Sequence, residues 1–338
     1  MRLLTGVLCL SLGASIAAGT AGESKADEKP DNYLSRQFTF VVPYGPGGLT
    51  DARGRAFQPV LEEILGVPVV VQNVSGAGAL VGINYTFSRP SDGTHIVTAS
   101  GSDGPHAHSV LSDSNLAWEW EDWTPIGEYA RSVLGFVAQR GGEWDSLEEM
   151  IEHVRENPGE VTLASIGPGR ADDLYMLEFM EASDTLGKWN WVTYSGSGAI
   201  QTDLLSGDID VGYLGVSRAD MLDHPNFVVL AQGIKESEIP DDWEFPWPTV
   251  EAVVGQELGL IGASYAAIFV KADTDPDRVD FLRWAFEEAA THPDFIRIRS
   301  EFGEPALWND GETARERLTA MHELLKEYKP LLEEHGQQ

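Results

Sequence analysis

The chain has 338 residues, 54 acidic and 23 basic, for a formal net charge of −31 at pH 7. That balance argues against nucleic acid and anionic membrane surfaces as partners, since both would be repelled. At 42% hydrophobic residues the chain is long enough for two domains, each with its own core.

Met1 to Ala21 opens with Arg2, stays apolar from Leu3 to Ala18 and closes on Gly19, Thr20 and Ala21. This is the pattern of a cleaved secretory signal over 1–21, too short to span a membrane. The mature protein is therefore expected to be exported. Cys9, the one cysteine, lies inside this stretch, so no disulfide, thiolate metal site or cysteine nucleophile is expected after processing. Residues 22–35 read as a disordered lead-in. No other apolar run reaches membrane-span length, so no direct membrane insertion is expected.

The apolar run at Phe38, Phe40, Val41 and Val42 predicts a buried parallel strand, broken by Gly45, Gly47 and Gly48 before a helix that Thr50 or Asp51 can cap. In such a turn the backbone N–H groups are uncovered and lie at the positive end of the helix dipole. A carboxylate or phosphate can be held there without a lysine or arginine. The alternative is an ordinary strand-to-helix loop whose glycines only make the turn. The helix carries Phe57, Val60, Leu61, Ile64 and Leu65 on one face and ends at Gly66, and Pro59 is expected to kink or split it. Strands follow at Val67–Val71 and His95–Ala99, each leading into small residues: Asn73 to Gly82, then Ser100 to Gly104. Alternating strands and helices indicate a parallel sheet whose carboxyl-end loops face one crevice. Between Pro105 and Trp123, His106 and His108 lack a third ligand at a recognisable spacing, so no metal site is expected.

A strand at Val133–Ala138 precedes a helix opened by Ser146-Leu147-Glu148-Glu149 and stopped by Pro158-Gly159. Strands at Val161–Ile166, Trp191–Thr193 and Asp208–Leu214 alternate with helices entered through Gly167 to Asp173 and Tyr194 to Ala199. This block repeats the construction of the first. Two such lobes suggest a hinged solute receptor. A strand at Val228–Leu230 and two amphipathic helices, about 276–290 and 312–334, complete the chain.

The ordered set of motifs resembles the Bug family, periplasmic substrate-binding proteins of tripartite tricarboxylate transporters. The matching stretches are P-Y-G-P-G-G-L-T-D at Pro43–Asp51, V-P-V-V-V-Q-N-V-S-G-A-G-A-L-V-G at Val67–Gly82 and P-S-D-G-T at Pro90–Thr94. They continue with N-P-G at Asn157–Gly159, A-S-I-G-P-G at Ala164–Gly169, Y-S-G-S-G-A at Tyr194–Ala199 and L-L-S-G-D-I-D at Leu204–Asp210. The resemblance implies an α/β, two-lobed periplasmic-binding-protein (Venus flytrap) fold, with a mainly parallel sheet in each lobe and a ligand cleft between them. Lobe 1 is expected at 36–134 and 256–338, lobe 2 at 135–255. The implied function is capture of a small organic carboxylate, a di- or tricarboxylate, by a monomer and its delivery to membrane transporter subunits, with no cofactor and no turnover.

Carried over residue by residue, the ligand-binding positions are Tyr44, Gly47, Gly48, Leu49, Thr50 and Asp51, then Ser100, then Ser165, Gly167 and Gly169, then Tyr194 and Ser195. Asp51 is better placed to cap its helix than to touch an anion, because like charges repel. The family's usual histidine after the Ala-Ser-x-Gly-x-Gly loop is Asp173 here. Arg170, at a position usually small and polar, could take a second carboxylate, or instead pair with Asp172 or Asp173.

An exported α/β hydrolase would need Gly-x-Ser-x-Gly, and none of Ser75, Ser100, Ser165, Ser195 and Ser197 has it. A dinucleotide site is opposed by the spacing Gly76, Gly78, Gly82. A receptor that presents its ligand to a membrane kinase is not distinguished from a transport receptor by sequence. The acidic balance also points to a salt-loving source, since concentrated salt screens its self-repulsion.

Overall fold

In chain order the elements are β1 (Phe38–Val42), α1 (Leu49–Leu65), β2 (Val69–Asn73), α2 (Leu80–Phe87), β3 (His95–Ala99), α3 (Pro105–Leu111) and β4 (Trp123–Gln139). Next come α4 (Leu147–Glu156), β5 (Thr162–Ile166), α5 (Ala171–Ala182), β6 (Asn190–Tyr194), α6 (Ser197–Ser206), β7 (Val211–Gly215), β8 (Phe227–Gln232) and α7 (Val250–Val254). The last are β9 (Ala263–Lys271), α8 (Pro276–Thr291), α9 (Pro293–Glu301), β10 (Asn309–Asp310) and α10 (Gly311–His335). The structure, a computed structural model, describes residues 28–47, 49–112, 114–166, 171–194, 197–216, 221–239, 245–259, 262–301 and 307–335. The expected signal at 1–21 lies outside them.

The strand order is β2-β1-β3-β9-β4-β7-β5-β6. At one end β2, β1 and β3 run parallel; at the other β7, β5 and β6 do. The loops after β1 and β3 in the first sheet, and after β5 in the second, therefore leave the carboxyl ends of parallel strands. Antiparallel β9 and β4 join the two halves. Trp123 to Val133 of β4 pairs with β9, and Leu134 onward pairs with β7 and β8, so one strand belongs to both sheets. At the crossing, Leu134 N donates to Gly262 O (2.8 Å), Gly262 N to Gly233 O (2.9 Å) and Gly233 N to Leu134 O (2.7 Å).

Apolar burial holds each half. Around the first sheet Phe57 stacks on Phe295 at a centroid distance of 4.1 Å and meets Phe40, Tyr129 and Phe286. Around the second, Phe136, Tyr175, Phe179 and Tyr213 share a core with Leu174 and Leu177. Helix α10 straddles both: Leu318 packs with Val97 and Phe269, whereas Leu325 packs with α3 and the second-sheet core. The cap at Ser146 is formed as expected, its Oγ accepting from Glu149 N at 3.2 Å.

Two expectations are corrected in part. Helix α1 runs through Pro59 without splitting, because the ring is exposed and the carbonyl deprived of its partner, that of exposed Arg55, is open to water. Within the expected lead-in at 22–35, Tyr33 and Leu34 are each 3% exposed and join the first core. Tyr33 also donates to Gly93 O at 2.7 Å, so apolar burial and a long-range hydrogen bond order this segment.

Candidate functional site

The turn after β1 is fastened before any ligand is considered. The Asp51 carboxylate, 3% exposed, accepts from the Gly47 amide, from Asn73 Nδ2 and from Arg55 Nε, each at 2.9 Å. Asn73 Nδ2 also donates to Tyr44 O at 3.1 Å, tying the turn to β2. Burial works to raise the Asp51 pKa, but the bonds from Arg55, Gly47 and Asn73 together hold it below the usual carboxylate range. Asp51 is thus a charged fastener of the turn, and it is not among the residues that line the cavity described below. Gly47 has φ +80°, a conformation that favours glycine.

Tyr44 donates to Asp103 Oδ1 at 2.5 Å and accepts from Ser100 N at 3.3 Å. Ser100 Oγ in turn bonds Ser102 Oγ (3.0 Å) and Ser264 Oγ (2.5 Å). Loops after β1 and β3 and the start of β9 are therefore joined by hydroxyls.

These residues face a cavity of about 230 Å³ walled by both sheets. The first sheet and its neighbours supply Tyr44, Leu49, Thr50, Arg53, Ser100, Ser102, Asp103 and Ser264; β4 supplies Ser132 and Leu134; the second supplies Ile166, Asp172, Ser197, Tyr213 and Gly215. Among the described residues lining it, Arg53 is the one basic side chain. It is 4% exposed, and its Nη2 donates to Ser132 Oγ at 3.1 Å.

Of the residues expected at the site, Tyr44, Leu49, Thr50 and Ser100 are brought together here. Ser165 is buried on β5 and accepts from Trp191 Nε1 at 2.8 Å without lining the cavity. Tyr194 donates to Asp203 at 2.5 Å and also lies outside the lining; that bond is the main cause of a phenol pKa pushed up to about 12. Gly48, Gly167, Gly169, Arg170 and Ser195 fall outside the described residues. Arg53 and Tyr213 line the cavity but were not among the residues expected there. A signal for Arg53 existed, since it precedes Phe57 by four residues and so continues the buried face of α1 toward the crevice.

His106 Nε2 bonds Gly101 O (2.8 Å) and His108 Nε2 bonds Gly78 O (2.6 Å), so both rings serve loop carbonyls. Burial lowers the His106 pKa to about 3, keeping it neutral. Among the described residues, no group of three or more His, Cys, Asp or Glu side chains is placed to hold a metal.

Residues 54–336 match the family profile described as tripartite tricarboxylate transporter family receptor. The chain belongs to this family. It is 32% identical to protein BugT of Bordetella pertussis over 284 residues, covering 81% of this chain and 82% of BugT. Among solved structures, an adipate-bound protein of R. palustris has a TM-score of 0.73 at 21% identity, covering 88% of this chain and 97% of its own. MatC of Rhodopseudomonas palustris with bound malate has a TM-score of 0.66 at 19% identity, covering 90% of this chain and all 100% of its own. The fold is that of two-lobed periplasmic binding proteins, and the family is one of receptors, not enzymes.

Proposed function

We propose that this receptor captures a small organic carboxylate, a di- or tricarboxylate, between its lobes in the periplasm and delivers it to the membrane subunits of a tripartite tricarboxylate-type transporter. The observation that carries the reading is the cleft itself: hydroxyls from both sheets converge on one cavity with a buried guanidinium at Arg53. A buried arginine recognises a carboxylate through paired N–H donors, and the surrounding hydroxyls orient the remaining oxygens. The cavity of about 230 Å³ falls below the roughly 300 Å³ at which pockets for drug-sized molecules begin, which favours a short acid. The malate and adipate held by the structural neighbours are of this kind.

One chain supplies both walls of the cleft, consistent with a monomeric receptor. We assign residues 36–134 and 256–338 to one lobe and 135–255 to the other, with α10 crossing between them and β4 as the connection about which they close. Strand ends and helix starts of the two sheets line one cavity, an arrangement suited to closure around a guest.

A calorimetric and thermal-shift screen across carboxylates, sugars and amino acids tests the reading. The expected result is one site per chain and stabilisation by a di- or tricarboxylate, about 2.7 kcal/mol when the ligand is present at one hundred times its Kd. Stabilisation by an uncharged sugar alone would refute it.

A further inference from the structure

Tyr213 stands on β7, 2% exposed, with its ring stacked on Tyr175 at 5.6 Å and tilted against Phe136 at 5.3 Å. Tyr213 is among the residues that line the cleft, yet its buried hydroxyl has no hydrogen-bond partner among the described residues. The backbone beside that hydroxyl offers little. A methyl placed on Gly262 would lie 2.5 Å from the oxygen and one on Gly233 2.9 Å from it, so both glycines abut the phenol tip. Their amides are already engaged, Gly262 N with Gly233 O and Gly233 N with Leu134 O.

A buried hydroxyl without a partner opposes folding, and phenylalanine would fill the same ring position without that cost. The residue is therefore poorly explained by packing. Burial, followed by the nearby Tyr175 and Asp172, holds the phenol pKa well above its ordinary value, so at neutral pH the group is an O–H donor. Across the same cavity Arg53 brings a positive charge from α1.

We propose that Tyr213 reads the ligand: its hydroxyl donates to a carboxylate oxygen of the captured solute, on which the Arg53 guanidinium converges from the opposite wall. The proposal rests on the carboxylate-receptor reading and adds to it the residues that select the anion. Its signature is a pair of effects of opposite sign. Without ligand the hydroxyl lowers stability; with ligand it raises affinity. A packing role alone would move both the same way.

The test uses the mature full-length chain, as wild type, Tyr213→Phe and Arg53→Gln, titrated at fixed high salt with malate, adipate and the strongest carboxylate of the screen. Melting temperatures are recorded without ligand. Tyr213→Phe is expected to weaken the best ligand at least about tenfold, the effect of a hydrogen bond to a charged group, while melting at or above the wild-type temperature. Arg53→Gln is expected to weaken it at least as much. Equal affinities for wild type and Tyr213→Phe overturn the proposal, as does a joint fall in affinity and melting temperature. Unchanged affinity in Arg53→Gln overturns the convergence of the two groups. A wild type that binds no carboxylate overturns the receptor reading, and this proposal with it, before any variant is compared.

Discussion

Replacing Asp51 with alanine should loosen the turn after β1 from its seat. Three donors lose their acceptor: the Gly47 amide, Asn73 Nδ2 and Arg55 Nε. The Arg55 side chain is 49% exposed, so its pair with Asp51 contributes little on its own. The other two bonds go to a buried charge at about 1.5 to 3 kcal/mol each, discounted because both donors regain water when the turn opens. The net loss is about 2 to 4 kcal/mol, which for a chain of this length, with an unfolding entropy of about 0.7 kcal/mol/K, lowers Tm by about 3 to 6 °C.

Circular dichroism melts at molar salt would measure the loss, and pH adds a sharper check. Asp51 has a folded-state pKa below its unfolded value. Its contribution is therefore present above about pH 4, and it is lost as pH falls through the folded pKa. The gap between wild type and Asp51→Asn should be widest at neutral pH and shrink in acid. A Tm for Asp51→Ala within about 1 °C of wild type at pH 7, or a gap to Asp51→Asn that does not change with pH, would refute this account of the turn.

With −31 of formal charge, Tm and carboxylate affinity should both rise from low to molar NaCl, where the Debye length is about 3 Å; melting temperatures that fall steadily with salt would contradict this. Gly262→Ala should cost about 1 to 3 kcal/mol in chemical denaturation, because the added methyl meets Tyr213 Oη at 2.5 Å and Gly233 Cα at 2.6 Å. The same variant should also weaken ligand binding by displacing Tyr213, so wild-type affinity in it would count against that contact.

Much of the fold could be read because local and global signals agreed. The buried run of β1, the cap at Ser146 and the strand-turn-helix alternation each place an element where the chain forms one. Strand β4 was seen only from Val133, since Pro125, Gly127, Glu128 and Arg131 make its first half look like a loop. Only the tertiary fold makes Glu128 tolerable there: it is fully buried, and Arg317 from α10 donates to it at 2.6 Å. The short α3 hides His106 and His108 inside the protein, which no apolar periodicity could announce. The site divides the same way. Tyr44, Leu49, Thr50 and Ser100, implied by the family resemblance, lie in or beside the turns after β1 and β3 and line the cavity. Tyr213 sits within D-I-D-V-G-Y-L-G, which reads only as a strand; that it lines the cleft depends on β7 lying between β4 and β5.

The strand shared by both sheets also constrains the order in which the chain can fold. Val97 of β3 pairs with Phe269 of β9, and β9 must be in place before Trp123 to Val133 of β4 has its partner. The first sheet cannot be completed until the last quarter of the chain is available, although its parallel strands are made first. Such distant pairings slow folding, since loop closure precedes the contacts that reward it. A chain stopped short of β9 would leave β3 and the first half of β4 without the strand that joins them.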